Sequence, residues 1–562
     1  MTAKNQQKII VSLLFFSLFF LLFITRFYNL SWGLPYPFHP DERNMASALI
    51  NLSCSNASDC LKPDFFAYGQ TTLYLAFLLK QVLSAFFDVS EWFFAFLSLR
   101  IISALASVVV VFVVVKIFGL IYQKKGLVEL FYLYLLLIFS PVLIQFSHFG
   151  TTEAVLSLLF SLLVYFSCLL LDNKINLKKY IYFSAICLGV ASAVKLSSVL
   201  FVFVVLLTFL LVIWQKRADA NLILFHLVYF SALSLFFYFL ASPYNLFEFQ
   251  KFLGSMHYES SVALGSLKVF YTQQFEGSIP VVFQLLVIFP YALGILAPIF
   301  FALSYLRLFQ QKNLKLVLLK LSVLFVFLVN SFLFTKWTRF LAPVYPLVVL
   351  LIYLELIKVK CRKLFLLVVW LFIVQGLLFF GVYLKEDIRL SASKWLSENI
   401  PAGSVVVQES GNVVDLPLFP YKNQPVESIG LNLYDFDNSA FLSETIFSAL
   451  EKADYVIVPS RRVFANYSCY YPNSGRNIFY NLAYLMHRTV VFNRYCSELK
   501  NTYPVINKYY QSLLESGQFE LVAEFSAFKD PFFNKTLFYD ELAEETFSVF
   551  DHPVIRIYKR KS

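Results

Sequence analysis

The chain has 562 residues, 59% of them apolar and only 14% charged, where soluble domains carry about 25% charged residues. That balance excludes a soluble globule, a disordered chain and a collagen-like fibre, and with 66 Phe and 34 Tyr it describes a chain that crosses a membrane many times. The net charge of +11 does not mark a nucleic-acid partner, because the basic residues stand in short clusters between apolar runs.

Eleven apolar runs read as spans: 9–24, 94–122, 128–146, 154–171, 180–194, 199–214, 222–241, 281–306, 316–334, 341–357 and 364–383. The first follows Lys4 and Lys8 as the core of a signal peptide would. Arg26, Phe27 and Tyr28 stand where a small-residue cleavage site belongs, so it is kept as a helix. Lys4 and Lys8; Lys124 and Lys125; Lys174, Lys178 and Lys179; Lys216 and Arg217; Arg307, Lys312 and Lys315; and Lys358, Lys360, Arg362 and Lys363 all fall on one side under this count. The positive-inside rule makes that side, and the N-terminus, cytoplasmic in a plasma (inner) membrane. The loop 27–92, the turns near His148 and Lys195, the loop 242–278, the turn near Lys336 and everything after Lys385 then lie outside. The segment 65–87 is apolar enough to resemble a twelfth span, but Gln70, Lys80 and Gln81 interrupt it and a span there would break the charge alternation. It is expected to be an amphipathic helix on the outer interface.

Beyond Lys385, charges, Asn, Ser and Pro become frequent, and the remaining residues are enough for a soluble domain. Strand-like runs at 404–408 and 455–459 follow helical patterns at 392–399 and 443–453, an alternation that predicts an α/β domain. The expected organisation is thus residues 1–384 as a membrane domain and 385–562 as an outer domain. Four of the seven cysteines, Cys54, Cys60, Cys469 and Cys496, lie on the side where disulfides persist. Cys168 and Cys187 fall in spans and Cys361 in the cytoplasm.

Ionisable residues at a membrane rim are costly to keep and mark candidate sites. His39, Asp41 and Glu42, in Pro37-Phe38-His39-Pro40-Asp41-Glu42-Arg43, put two carboxylates beside an imidazole. These suit a general base, a hydroxyl binder or a metal ligand, and equally the acidic first turn of a helix. His148 and Glu153 sit in a short turn that needs no acid. Lys195, with Lys336 and Arg339, places cations on the side where they are disfavoured, and Arg100 stands near the outer start of its span. Carboxylates and cations at one surface suit an anionic lipid headgroup and a hydroxyl activated beside it.

With these residues in place, the sequence resembles the bacterial GT-C membrane glycosyltransferases of the family 39 type, related to protein O-mannosyltransferases and aminoarabinose transferases. His39-Pro40-Asp41-Glu42 is similar to the family's acidic motif, Ser98 to Leu105 to its Arg-containing helix start, and Ser147 to Glu153 to its second outer loop. Ala191 to Lys195 is similar to a small-residue stretch closing in Lys, and Arg339 to Pro346 to an Arg-Tyr-Leu-Leu-Pro-like segment in which Phe340 replaces Tyr. Stretches 392–401, 453–462 and 543–553 also resemble regions downstream of the helices in such enzymes. The resemblance implies a polyprenyl-phosphate-linked sugar donor and a protein, lipid or glycan acceptor outside the membrane. It further implies Asp41 as general base with Glu42 beside it, Lys195, Arg339 and Arg100 at the donor phosphate, and His39, His148 and Glu153 positioning substrate. No nucleotide or redox cofactor is expected, while the carboxylates and His39 leave a divalent metal ion open. A lipid-linked sugar flippase would share the anionic headgroup, and a scaffold would explain the outer domain without the acid and cation cluster.

Overall fold

The computed structural model describes residues 3–54, 56, 61–122, 126–215, 220–306, 308, 310–410, 416–417, 426–434, 437, 440–472, 495–529 and 538–561. In chain order the membrane part runs α1 (Ala3–Phe27), α2 (Pro40–Asn51), α3 (Gln70–Ser84), α4 (Glu91–Ile121), α5 (Leu127–Ile138), α6 (Pro141–His148), α7 (Glu153–Leu171) and α8 (Leu177–Val194). It continues through α9 (Val202–Trp214), α10 (Ala220–Ala241), α11 (Tyr244–Phe247), α12 (Phe249–Leu264), α13 (Phe289–Ala292), α14 (Ala297–Tyr305), α15 (Leu314–Phe332), α16 (Tyr345–Leu356) and α17 (Arg362–Leu384). Among the described residues, 8 helices are long and apolar enough to cross a membrane, or 10 when two bent pairs each count as one span. With α1 the protein is a multi-pass α-helical membrane protein, and each run read from the sequence is helical over most of its length. The segment expected as an interfacial helix is α3, whose 15 residues are too few to cross.

The ends of alternate spans meet at one end of the bundle. Lys315 is 2.5 Å from Asp172, the Asn313 side-chain amide donates to the Ile121 carbonyl, and the Tyr353 hydroxyl donates to the Glu129 carbonyl. Three of the basic loops are thereby brought to one face.

Two spans are broken rather than straight. The pair α5 and α6 bends by 53° at Phe139 and Ser140, where Pro141 cannot continue a helical hydrogen-bond ladder. Arg26, fully buried on α1, donates to the freed carbonyls of Leu137 (2.9 Å) and Ile138 (3.0 Å) and to Ser107 Oγ (2.9 Å). The run 281–306, expected as one span, is instead a π-turn Gln284–Ile288 continuing into α13. It then turns by 118° into α14. Gly294 makes that turn at φ +134°, and a Cβ there would fall 2.4 Å from the Phe372 ring. Gln375 of α17 satisfies the exposed backbone: its Nε2 donates to the Pro290 carbonyl (2.6 Å) and its Oε1 accepts from Ile295 N–H (3.0 Å). Irregular backbone at membrane depth is stable when its polar groups are re-paired in this way.

After α17 the chain forms α18 (Ile388–Asn399) and a five-stranded sheet of β1 (Val405–Ser410), β2 (Glu427–Asn432), β3 (Tyr455–Val458), β4 (Phe519–Phe525) and β5 (Ile555–Arg560). The order is β2-β1-β3-β5-β4, with β1 parallel to β2 and β3, and β5 antiparallel to β3 and β4. Strand alternation divides the core. Val406, Tyr455, Ile457, Ile555 and Ile557 pack with α18, while Val407, Val456, Val458 and Tyr558 pack with Ile446 and Leu450 of the helix Ala440–Lys452 on the other face. Cys469 and Cys496 form a disulfide. Cys54 is disulfide-bonded, and Cys60 lies outside the described residues. Cys168, Cys187 and Cys361 are free thiols.

The sheet unit is not a separate bead. Ala527, Phe528, Ala543, Phe547, Val549 and Phe550 belong to the same apolar core as the membrane helices. The segment 540–552 thus packs into the helical bundle.

Candidate functional site

Local sequence builds the acidic motif into a helix start. Pro40 takes the first helical position of α2, where its missing N–H is no loss, and Asp41 and Glu42 occupy the first turn, favoured by the helix dipole. His39 is the cap: its Nδ1 accepts Glu42 N–H at 3.3 Å, which puts the ring proton on Nε2. Burial, with the charges of Arg339, Arg100 and Arg389, holds His39 well below its usual pKa, so the ring is neutral.

The two adjacent carboxylates point in opposite directions. Glu42 is fully buried and bidentate to Arg100, Oε1 to Nε at 2.7 Å and Oε2 to Nη2 at 2.8 Å. Its Oε1 also accepts the Gly150 N–H at 2.6 Å. Arg100 Nη1 donates to the carbonyls of Leu30 (2.7 Å) and Trp32 (2.9 Å), and its guanidinium lies over the Trp32 ring. Gly150 has to be glycine, because a Cβ there would fall 2.6 Å from Leu99 Cβ and 2.8 Å from Glu42 Oε1. Arg100, expected at the donor phosphate, and Glu42, expected beside the base, are thus paired with each other. They clamp the loop after α1 and the start of α2 to α4 and to the turn after α6.

Asp41 faces a cleft lined by His39, Gln145, Phe146, Phe149, Thr151, Glu153, Thr338, Arg339, Thr546 and Phe550. Its Oδ2 is ion-paired with Arg339 Nη1, and the same nitrogen reaches Tyr68 Oη at 3.4 Å. Burial, with the carboxylates of Glu153 and Glu259, keeps the Tyr68 phenol well above its usual pKa and neutral. Lys195 Nζ stands 5.2 Å from the Tyr68 ring and 5.4 Å from that of Phe340. Among the described residues it forms no ion pair. Lys336 is buried with Nζ on the Phe334 carbonyl, and burial lowers its pKa to about 8. With the Asp41 and Arg339 pair closed, the cleft retains about 10 Å³, room for about one water.

Within the cleft, Glu153 opens α7 and is 3% exposed. Among the described residues its Oε2 has no hydrogen-bond partner, and neither has Thr338 Oγ1. His148 takes another course. Its ring stacks on Tyr383 at 3.7 Å, with Nδ1 on the Ile144 carbonyl and Nε2 on the Tyr28 carbonyl. It is packed away from the cleft, so the expectation that it positions substrate is corrected to a role in holding helices together.

The C-terminal segment supplies the remaining wall. Thr546 and Phe550 line the cleft. Glu544 accepts from Gln274 Nε2 (2.9 Å) and from Thr338 N–H (3.0 Å). Tyr383 Oη and Gln145 Nε2 donate to Asp551. His552 sits between Asp551 (2.5 Å) and Asp540 (2.8 Å). Burial alone would lower its pKa, but the two carboxylates prevail and raise it to about 10.

Sequence reasoning did not single out Gln145, Tyr68, Thr338, Thr546 and Phe550. A lone Gln in the apolar run Pro141–Phe146 was the available signal, while only the fold reveals that residues 546 and 550 reach the membrane domain. No group of three His, Cys, Asp or Glu side chains among the described residues is placed to hold a metal ion. With Asp41 on Arg339 and Glu42 on Arg100, the residues expected as ligands do not form a donor set.

No protein-family model matches the sequence, and no curated protein does. Among solved structures the chain is similar to ArnT from Cupriavidus metallidurans bound to undecaprenyl phosphate, with a TM-score of 0.48 at 13% identity over 81% of this chain and 93% of that one. It is also similar to the Archaeoglobus fulgidus oligosaccharyltransferase in the apo form, with a TM-score of 0.48 at 11% identity over 80% and 69%. At this overlap the function has to be argued from the residues of the chain itself.

Proposed function

We propose that the protein is a membrane glycosyltransferase that moves a sugar from a polyprenyl-phosphate carrier to an acceptor hydroxyl at the outer membrane surface. The observation that carries this reading is Asp41 in the lining of a polar cleft, opposed by Arg339, with Lys195, which forms no ion pair among the described residues, over the Tyr68 ring that Arg339 also reaches.

In the resting state Arg339 occupies the carboxylate of Asp41. A donor phosphate competes for Arg339 and meets Lys195 beside Tyr68, which frees Asp41 and opens the cleft to the sugar. Asp41 then takes the acceptor proton. The acceptor oxygen forms its bond to the anomeric carbon from the face opposite the leaving group, and the bond from that carbon to the phosphate oxygen breaks. The polyprenyl phosphate leaves with the electron pair. Its developing charge is stabilised by Arg339 and Lys195 in a site with little water, where such stabilisation is strongest. The configuration at the anomeric carbon inverts. His39, neutral with its proton on Nε2, and Glu153 bind sugar or acceptor hydroxyls.

The test is sugar release from radiolabelled polyprenyl-phosphate sugars by the full-length protein in detergent, beside Asp41→Asn. Turnover of one donor, lost in a variant that melts like the wild type, is expected. Full turnover by Asp41→Asn would overturn the assignment of the base.

A further inference from the structure

Gln145, on α6, is 1% exposed, and its amide has a fixed direction. Nε2 lies 2.7 Å from the Phe547 carbonyl and 3.1 and 3.2 Å from the two carboxylate oxygens of Asp551. A carbonyl and a carboxylate only accept hydrogen bonds, so the amide cannot be turned round. Both of its hydrogens are spent on the C-terminal segment. Oε1 accepts no hydrogen bond from any described residue, and the side chain lines the cleft beside Asp41. Asp551 cannot easily move to release it, since the Tyr383 hydroxyl (2.7 Å) and His552 Nδ1 (2.5 Å) hold its other lone pairs.

A second acceptor in the same cleft is also unused, the orphan Oε2 of Glu153. Water in the closed cleft serves these acceptors at rest, and since an acceptor left without a donor costs about 1–3 kcal/mol, the ligand that displaces that water has to bring hydrogens of its own. A phosphate brings only acceptors and an alkyl chain brings neither. A polyhydroxylated ring supplies donors to both.

Building on the transferase reading, we infer that Gln145 is a specificity-determining residue whose Oε1 accepts a hydroxyl of the donor sugar, with Asp551 of the outer domain as the positioning residue that fixes its direction. The two residues come from units joined only through α17 in the chain, so the sugar pocket is composite.

The experiment uses full-length protein in detergent with undecaprenyl phosphate, the undecaprenyl-phosphate hexose that stabilises it most, and the monodeoxy versions of that hexose. Two readouts are taken, thermal stabilisation and turnover. In the wild type one deoxy donor is expected to fall by about tenfold or more in kcat/KM, since a site built around a hydroxyl rejects the analogue lacking it. In Gln145→Met, which keeps length without the amide, that ratio shrinks to under about threefold while the ratios for the other positions hold. Asp551→Asn, able to donate toward Gln145 and so to release its amide, blunts the same ratio. Gln145→Asn serves if the Met variant does not fold. Unchanged discrimination in these variants, or no added stabilisation by any sugar over undecaprenyl phosphate alone, overturns the inference. Sugar-dependent stabilisation that Gln145→Met abolishes, without turnover of any donor, would uphold Gln145 and overturn the transferase reading.

Discussion

Replacing Arg100 with Met separates two roles that the sequence alone leaves open. The substitution keeps the apolar stem and removes the guanidinium, leaving the buried Glu42 carboxylate with only the Gly150 N–H and the carbonyls of Leu30 and Trp32 without donors. Removing one partner of a buried ion pair costs about 3–5 kcal/mol, because the other charge stays buried and uncompensated. At about 2 °C per kcal/mol, the melting temperature falls by roughly 6 °C or more. Glu42→Met is expected to cost a similar amount. The double variant is expected to lose less than the sum, since it buries neither charge alone. The assay is thermal unfolding in detergent followed by tryptophan fluorescence, with undecaprenyl phosphate binding measured on the same samples. A variant at Arg100 that melts like the wild type but no longer binds the lipid phosphate would refute the clamp and restore Arg100 as a phosphate ligand.

Three further outcomes follow from the same geometry. Gly294→Ala puts a side chain at φ +134° and 2.4 Å from the Phe372 ring; it is expected to destabilise by about 1–3 kcal/mol, seen as a lower melting temperature, and a neutral result would argue against the sharp break. Gln375→Leu strips the donor from Pro290 and the acceptor from Ile295 N–H, a loss of about 1–3 kcal/mol for each group left unpaired, measured in the same way. For His552, a pKa raised from 6.5 to about 10 in the folded state means a contribution that is full below pH 6.5 and lost as pH rises through about 10. The wild type should therefore melt progressively lower from pH 7 to pH 10, and His552→Gln should flatten that slope; an equal slope in both proteins would exclude His552 as its source.

The helices were legible because hydropathy reports directly on the solvent they cross, and the alternation of basic loops placed their ends. The break in 281–306 was not, since its apolar composition is that of a straight span and the cause lies in Gly294 meeting Phe372 from a distant helix. In the site, the types of residue were readable but not their partners. Asp41 and Glu42 are neighbours in sequence, and only the fold sends one to Arg339 and the other to Arg100. Arg100 and Lys195 look alike as rim cations. One is held by four hydrogen bonds, while the other faces two aromatic rings. The contribution of Thr546 and Phe550 was beyond sequence reasoning because it depends on a tertiary insertion more than 390 positions away from Gln145.

Residues 375 and 376 of α17 meet both broken spans. Gln375 ties the Pro290 to Ile295 turn, and at Gly376 a Cβ would stand 1.7 Å from the Phe139 carbonyl at the other break. Eight positions from Gln375, Tyr383 is bonded to Asp551. The last span therefore works as a shared axle: a tilt of the sheet unit that turns this helix cannot be absorbed at one irregular joint without loading the other. Alongside the contacts of segment 540–552 with Gln145, Gln274 and Thr338, this helix is one route by which a shift of the sheet unit reaches both breaks.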